Sequence, residues 1–244
     1  MQSSPSRRAE LERLGAVPFA HRGLHGGGRV ENSGSAIAAA VAGGFGVELD
    51  VQLSRDGEAM VFHDYELERL TVGQGAVAAR TAAELQAMAF NGGVGAMPRL
   101  AEALAMIGGR APLLIEVKSP DRRVGRLCAA VARAVDGYEG PFGVMSFNPE
   151  VGAWFSGHAP HRLRGLVVTE SGRRGLRGRV ERPLALWRAQ ADFLAYDIRD
   201  LPSRFAASAR RRGLPVFTWT VRSEGDRARA SANADQVIFE AVPA

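Results

Sequence analysis

A chain of 244 residues, 46% hydrophobic and 23% charged, has the composition of an ordinary soluble globular protein and the length of one closed α/β barrel, about 250 residues. Its single cysteine, Cys128, excludes an internal disulfide framework and a cysteine zinc site, and no run of about 18 apolar residues is present to form a transmembrane helix. The formal charge of +5 points only weakly to anionic partners; with no apolar signal-peptide core in MQSSPSRRAELERLG, the expected location is cytoplasmic.

In chain order, VPFAH (17–21) is the first short apolar run and predicts a strand. SGSAIAAAVAGG (33–44) follows as an alanine-rich helix that Asn32 or Ser33 can cap. GVELDVQ (46–52) is the second strand. AMVFH (59–63) comes after the turn signal RDG and is expected to fold back on it as a hairpin. TAAELQAM starts with Thr81 and has Glu84 three residues on, a capping box. RLAEALAMI predicts the next helix, and LLIEVK (113–118) the third strand. DRRVGRLCAAVARAV, FGVMSF (142–147), PEVGAWFSG and LRGLVV (163–168) continue the alternation. DFLAYD (192–197), SRFAASARRRG, PVFTWTV (215–221) and DQVIFE (235–240) complete it. Eight strand-helix units without a linker predict a single-domain (β/α)₈ TIM-type barrel over residues 1–244, with a short hairpin-like insertion after the second strand. An open doubly wound sheet is the alternative.

Barrel chemistry sits where strands end, and these ends are biased. The first closes on His21-Arg22, the second carries Glu48 and Asp50, and the hairpin closes on His63-Asp64. The third carries Glu116 and Lys118, the fourth ends in Ser146-Phe147 and the seventh bears Trp219. Residues two apart in a strand share a face, so Glu48 projects with Asp50 and Glu116 with Lys118. Crowded carboxylates repel one another and lose hydration. A divalent cation removes both problems, and an all-carboxylate set without cysteine favours Mg²⁺ or Ca²⁺. Each carboxylate alone could instead pair with Arg22 or Lys118. His21 and His63 close strands on the carboxylate side and suit a general acid/base pair. His25, His158 and His161 lie in loop-like surroundings and carry no expected role.

Taken together, His21-Arg22-Gly23, Glu31-Asn32, Glu48-Leu49-Asp50, His63-Asp64, Glu116-Val117-Lys118 and Trp219-Thr220 stand in the order HRG, EN, E-x-D, HD, E-x-K, W-T. In this the chain resembles the glycerophosphodiester phosphodiesterases over nearly its whole length. The resemblance implies a TIM-type barrel that hydrolyses a glycerophosphodiester to glycerol 3-phosphate and an alcohol. It implies Glu48, Asp50 and Glu116 as metal ligands, His21 and His63 as acid and base, and Arg22 and Lys118 as phosphate-side cations. It also implies that the substrate's glycerol hydroxyl attacks, giving a cyclic phosphate that water opens. The family pattern is departed from at Arg222, at Pro98-Arg99-Leu100 and in the blurred acidic-proline ending VIFEAVPA.

Of 31 lysines and arginines, only Lys118 is lysine. An ammonium is compact, whereas a guanidinium is a wide fork that would crowd a metal or displace a carboxylate. Trp219 and Phe147 are expected either as an apolar wall beside the glycerol moiety or as packing aromatics. The arginine-rich span 162–182 offers charge to anionic lipid or nucleic acid, but it reads as a solvated loop, since it lacks the interleaved aromatics for base stacking. The expected partner is a small glycerophosphodiester, without nucleic acid or an integral membrane segment. The competing readings are a lysophospholipase D-like enzyme and a non-catalytic barrel that binds phosphorylated ligands.

Overall fold

The nine strands of this computed structural model, which describes residues 5–92 and 94–240, follow the apolar runs. They are β1 (Phe19–His21), β2 (Gly46–Leu53), β3 (Ala59–Val61), β4 (Leu113–Val117), β5 (Phe142–Ser146), β6 (Leu163–Val168), β7 (Phe193–Asp197), β8 (Val216–Val221) and β9 (Gln236–Phe239). The helices are α1 (Pro5–Leu14), α2 (Gly34–Ala42), α3 (Ala82–Gln86), α4 (Leu100–Ile107), α5 (Gly125–Ala134), α6 (Pro149–His158), α7 (Leu176–Ala189), α8 (Arg204–Arg211) and α9 (Glu224–Asn233). Eight parallel strands run in the order β1-β2-β4-β5-β6-β7-β8-β9, and β9 returns to pair with β1. The ring is closed: this is a TIM barrel, not an open sheet. β3 lies outside the ring and pairs antiparallel with β2, Val51 opposite Val61, which makes the expected hairpin.

The pleat sorts the side chains. Val47, Leu49 and Val51 of β2 and Leu113, Ile115 and Val117 of β4 point outward, into the apolar layer beneath α2, α4 and α5. The alternate positions point into the barrel. Phe19, Leu114, Met145, Phe193, Phe217 and Ile238 fill its lower interior, and Leu11 and Leu14 of α1 plug that end. Fully burying a leucine such as Leu14 contributes roughly 1.5–3 kcal/mol. The polar inward positions lie above these layers, toward the C-terminal rim.

Ser33 rather than Asn32 caps α2, accepting from Ala36 N at 3.2 Å. Thr81 and Glu84 form the capping box reciprocally, at 3.2 and 2.7 Å. The segment between β2 and α4 has an apolar centre of its own, with Met60, Phe62, Leu67, Leu85 and Phe90. It carries His63 to the rim. The main departure from the sequence reading is α7, a 14-residue helix that begins inside the span read as a loop and takes in its residues 176–182. Its internal Pro183 and Gly178 mask it, and its large apolar residues face outward. Among the described residues no helix is long and apolar enough to cross a membrane.

Candidate active site

Strand register brings the expected residues together. His21 is level with Glu48 across the β1–β2 pair, and Asp50 is level with Glu116 across β2–β4. Glu48, Asp50 and Glu116 are buried, and one oxygen from each lies within 4.8 Å of the other two, close enough to share a cation. Burial pushes the Glu48 carboxyl well above its usual range, and the charges of Asp50 and Glu116 push it further. Glu116 is raised by burial and by Asp50. Burial acts on Asp50 too, but Lys118 and Arg22 outweigh it and hold Asp50 below its ordinary value. An all-oxygen donor set with this strain of like charge fits a hard divalent ion.

The positive groups are already threaded among the acids. Lys118 Nζ lies 2.9 Å from Glu116 Oε1 and 3.5 Å from Asp50 Oδ1. Burial lowers the Lys118 pKa, yet Glu116 and Asp50 outweigh that effect and keep it above the ordinary lysine range. Arg22 has left-handed backbone, φ 58°, which is rare outside glycine. That conformation sends its N–H to Glu48 Oε2 at 3.0 Å. Its side chain pairs with Glu31 at 2.7 Å and stands 3.3 Å from Asp50 Oδ2. That 3.3 Å contact is made by Arg22 Nε, which is buried and faces the Asp50 carboxylate without forming a hydrogen bond. Gly23 follows at φ 76°, and a Cβ there would meet the Ala36 backbone at 2.7 Å. The glycine of HRG therefore lets the loop lie directly on α2. In the EN pair, Glu31 also accepts from Arg69, and Asn32 donates to Asp50 Oδ2 at 3.0 Å.

The two histidines are held by the same device. His21 Nδ1 is 2.8 Å from Glu240 Oε1, and Glu240 also accepts two hydrogen bonds from Arg222, at 2.6 and 2.7 Å. His63 Nδ1 is 2.8 Å from Asp64 Oδ1, and Asp64 accepts from Arg69. Burial works against Glu240, but His21 and Arg222 hold it well below the usual carboxylate range. An ionised carboxylate only accepts, so each Nδ1 must donate. Each neutral ring then carries its lone pair on Nε2. His21 Nε2 lies 4.0 Å from Glu48 Oε2. Burial is the main cause that lowers the pKa of both imidazoles, opposed at His21 by Glu240 and at His63 by Asp50.

Beside the acids is a cleft of about 540 Å³, lined by His63, Tyr65, Arg69, Glu116, Lys118 and Phe147 among others. Phe147 is half exposed and packs edge-on against Trp219, with centroids 5.5 Å apart. Trp219 Nε1 donates to Ala195 O at 2.9 Å, which anchors the indole at the rim. All nine expected site residues therefore meet around one end of the barrel. The family model described as Glycerophosphoryl diester phosphodiesterase family matches residues 21–242.

The chain belongs to the glycerophosphoryl diester phosphodiesterase family.

A glycerophosphodiester phosphodiesterase of Caldanaerobacter subterraneus subsp. tengcongensis is 28% identical over 212 residues, which cover 81% of this chain and 83% of the relative. The structure of an Oleispira antarctica phosphodiesterase in complex with the product sn-glycerol-3-phosphate superposes with a TM-score of 0.79 at 23% identity, covering 92% and 93% of the two chains. A glycerophosphodiester phosphodiesterase structure from Agrobacterium tumefaciens has a TM-score of 0.68 at 26% identity, covering 91% and 94%. In this member of the glycerophosphodiester phosphodiesterases, Arg69, Arg222 and Glu240 complete the contacts around the two histidines, and the sequence reading gives none of them a site role. Glu240 ends the last strand, so the strand-end argument would have found it had it been carried to β9. Arg222 was noted only as a departure from the family pattern. Nothing local in LERL marks Arg69. The remaining histidines stay outside these contacts: His158, for example, stacks on Trp154 at 4.2 Å.

Proposed function

We propose that the protein hydrolyses glycerophosphodiesters to glycerol 3-phosphate and an alcohol, using His21 and His63 as an acid/base pair beside a Mg²⁺ or Ca²⁺ ion held by Glu48, Asp50 and Glu116. The observation that carries this reading is that both imidazoles are clamped at Nδ1 by carboxylates, with Nε2 left to work next to three crowded acids. The product bound in the Oleispira antarctica structure supports glycerol 3-phosphate as the retained half. When bound, the cation supplies positive charge that offsets the three carboxylates and the phosphate oxygens.

Arg22 and Lys118 bind the non-bridging phosphate oxygens. One Nε2 takes the proton of the glycerol hydroxyl next to the phosphorus. That oxygen bonds to phosphorus as the bond to the alcohol oxygen breaks, and the other imidazolium gives its proton to the departing alkoxide. Water then opens the cyclic phosphate with the two rings in exchanged roles. Phe147 and Trp219 form an apolar wall to the glycerol carbons. Lys118 fits its place because an ammonium can touch Glu116 and Asp50 at once without entering the space between the carboxylates.

The test is glycerol 3-phosphate release from glycerophosphocholine and glycerophosphoethanolamine, with EDTA, Mg²⁺ or Ca²⁺, and with lysophosphatidylcholine as a parallel substrate. EDTA-sensitive release that is abolished by His21→Ala and by His63→Ala supports the reading. Release from the lysolipid alone would favour the lysophospholipase D-like reaction, and binding without turnover a non-catalytic barrel. Turnover indifferent to EDTA and to both substitutions would overturn the mechanism.

A further inference from the structure

We propose that α7 is a docking element for anionic lipid surfaces. Leu176, Val180, Leu184 and Trp187 recur at i, i+4, i+8 and i+11 and are 79%, 61%, 59% and 75% exposed. At about 100° per residue these four form one stripe roughly 16 Å long. They are half of the large apolar side chains exposed among the described residues; the other four are dispersed along the chain. Scattered exposed hydrophobes need no explanation, but a continuous stripe marks an interaction surface.

The stripe is fixed outward. On the opposite face Gly178 and Ala189 are buried. A Cβ at Gly178 would fall 1.8 Å from Arg173 O, and one at Gly152 of α6 would fall 2.4 Å from Ala189 O. The Gly152–Ala189 contact seats the helix on α6, with its stripe turned away from the barrel.

Charge selects the occupant. Arg177 and Arg188 border the stripe on one side and Arg179 on the other, with Arg173 and Arg174 just before the first turn. Four of these pair with acids: Arg173 and Arg177 with Glu181, Arg174 with Asp200, and Arg188 with Glu150. Arg179 has no ion pair among the described residues, and neither does Arg204 of α8. Both face a cleft of about 570 Å³ between α7 and the start of α8, where Arg182 Nε is buried without a hydrogen-bond partner. Arg174 and Arg199 also line this cleft, paired with Asp200 and Asp197, and Arg182 lies 3.3 Å from Glu170. A second copy packed symmetrically would set one arginine fringe against the other. A nucleic acid would leave the apolar stripe in water. An anionic bilayer satisfies both features, with leucine and tryptophan below the headgroups and guanidinium groups on the lipid phosphates. The first turn of α7 follows β6 at the C-terminal rim, so docking holds the mouth of the acidic site beside the surface. The proposal does not depend on the catalytic roles.

The test is flotation of the full chain with vesicles of phosphatidylcholine alone and of phosphatidylcholine mixed with phosphatidylglycerol. Binding is expected to the mixed vesicles only and to weaken with salt. Leu184→Ser/Trp187→Ser and Arg179→Gln/Arg204→Gln should each lower it about tenfold or more, while Tm and turnover of a water-soluble diester stay unchanged. Equal binding to both vesicle types, no binding to either, or binding that survives both double variants would overturn the proposal. So would a dimer in sedimentation velocity that the stripe variant abolishes.

Discussion

Each of the two imidazoles is held by an acid that is itself held by an arginine, and His21 is the more buried of the two rings. The clamp of His21, Glu240 and Arg222 ties the first strand to the end of the last. Glu240 favours the imidazolium of His21, against burial. Replacing it with glutamine removes that support, so the His21 pKa falls further. In Glu240→Gln the limb of the kcat/KM profile that reports His21, the acid limb if His21 is the base and the alkaline limb if it is the acid, should therefore move to lower pH, with kcat reduced about tenfold or more. A lower kcat with an unmoved limb would mean that Glu240 only shapes the loop. At Lys118 the expected outcome is steric. Lys118→Arg keeps the charge yet should lower kcat about a hundredfold, because the wider fork would enter the space between the carboxylates that the ammonium leaves free. Near-normal turnover of that variant would refute the argument from the lone lysine. Cys128 is inert by contrast: burial pushes its thiol up to about 12. Alkylation by a thiol reagent at pH 8 should therefore track unfolding, and fast labelling of the native protein would contradict this.

At the scale of elements, much was legible because the barrel imposes simple rules on its strands. The runs around Glu48 and Glu116 alternate apolar and polar residues, and parallel register sets the two strands level at Asp50 and Glu116. That is why the carboxylate cluster could be read without coordinates. His63 was legible because the turn at Arg55–Gly57 folds β3 back on β2. The second clamp on each histidine was not, since Arg69 and Arg222 reach their acids across loops whose course no periodicity encodes. α7 was hidden for a different reason: its apolar side chains answer to something outside the barrel, so arginine content dominated the reading. α1 also went unforecast, because only Leu11 and Leu14 of its ten residues are buried. Those two close the barrel floor. Leu14→Ala should cost about 3 kcal/mol and lower Tm by roughly 10 °C with little change in KM. A Tm within a degree of the parent would show that the floor is filled by other side chains.

For the molecule as a whole, the acid cluster links stability to pH and to metal. Glu48 and Glu116 have native pKa values above the ordinary range, with burial as the first cause. The folded state therefore keeps protons that the unfolded chain has released, and without a cation these two groups make stability fall as pH rises from about 4.5 through their native values. Asp50 and Glu240, held low, act in the opposite sense, contributing stability that is lost only as pH falls through their depressed values. A divalent ion reverses the first effect, since it binds the ionised carboxylates of the native state and has no such site in the unfolded chain. At a hundred times its Kd it would add about 2.7 kcal/mol, or roughly 5–10 °C in Tm for a chain of this size. The gain should be larger at pH 8 than at pH 5.5, where protons compete for Glu48 and Glu116, and it should vanish in Glu48→Gln/Glu116→Gln. Differential scanning fluorimetry with Mg²⁺ and with Ca²⁺ reads this without any turnover. An unchanged Tm with both ions at pH 8 would leave the three carboxylates as a structural network neutralised by Arg22 and Lys118, and the ion would have to be removed from the proposed reaction.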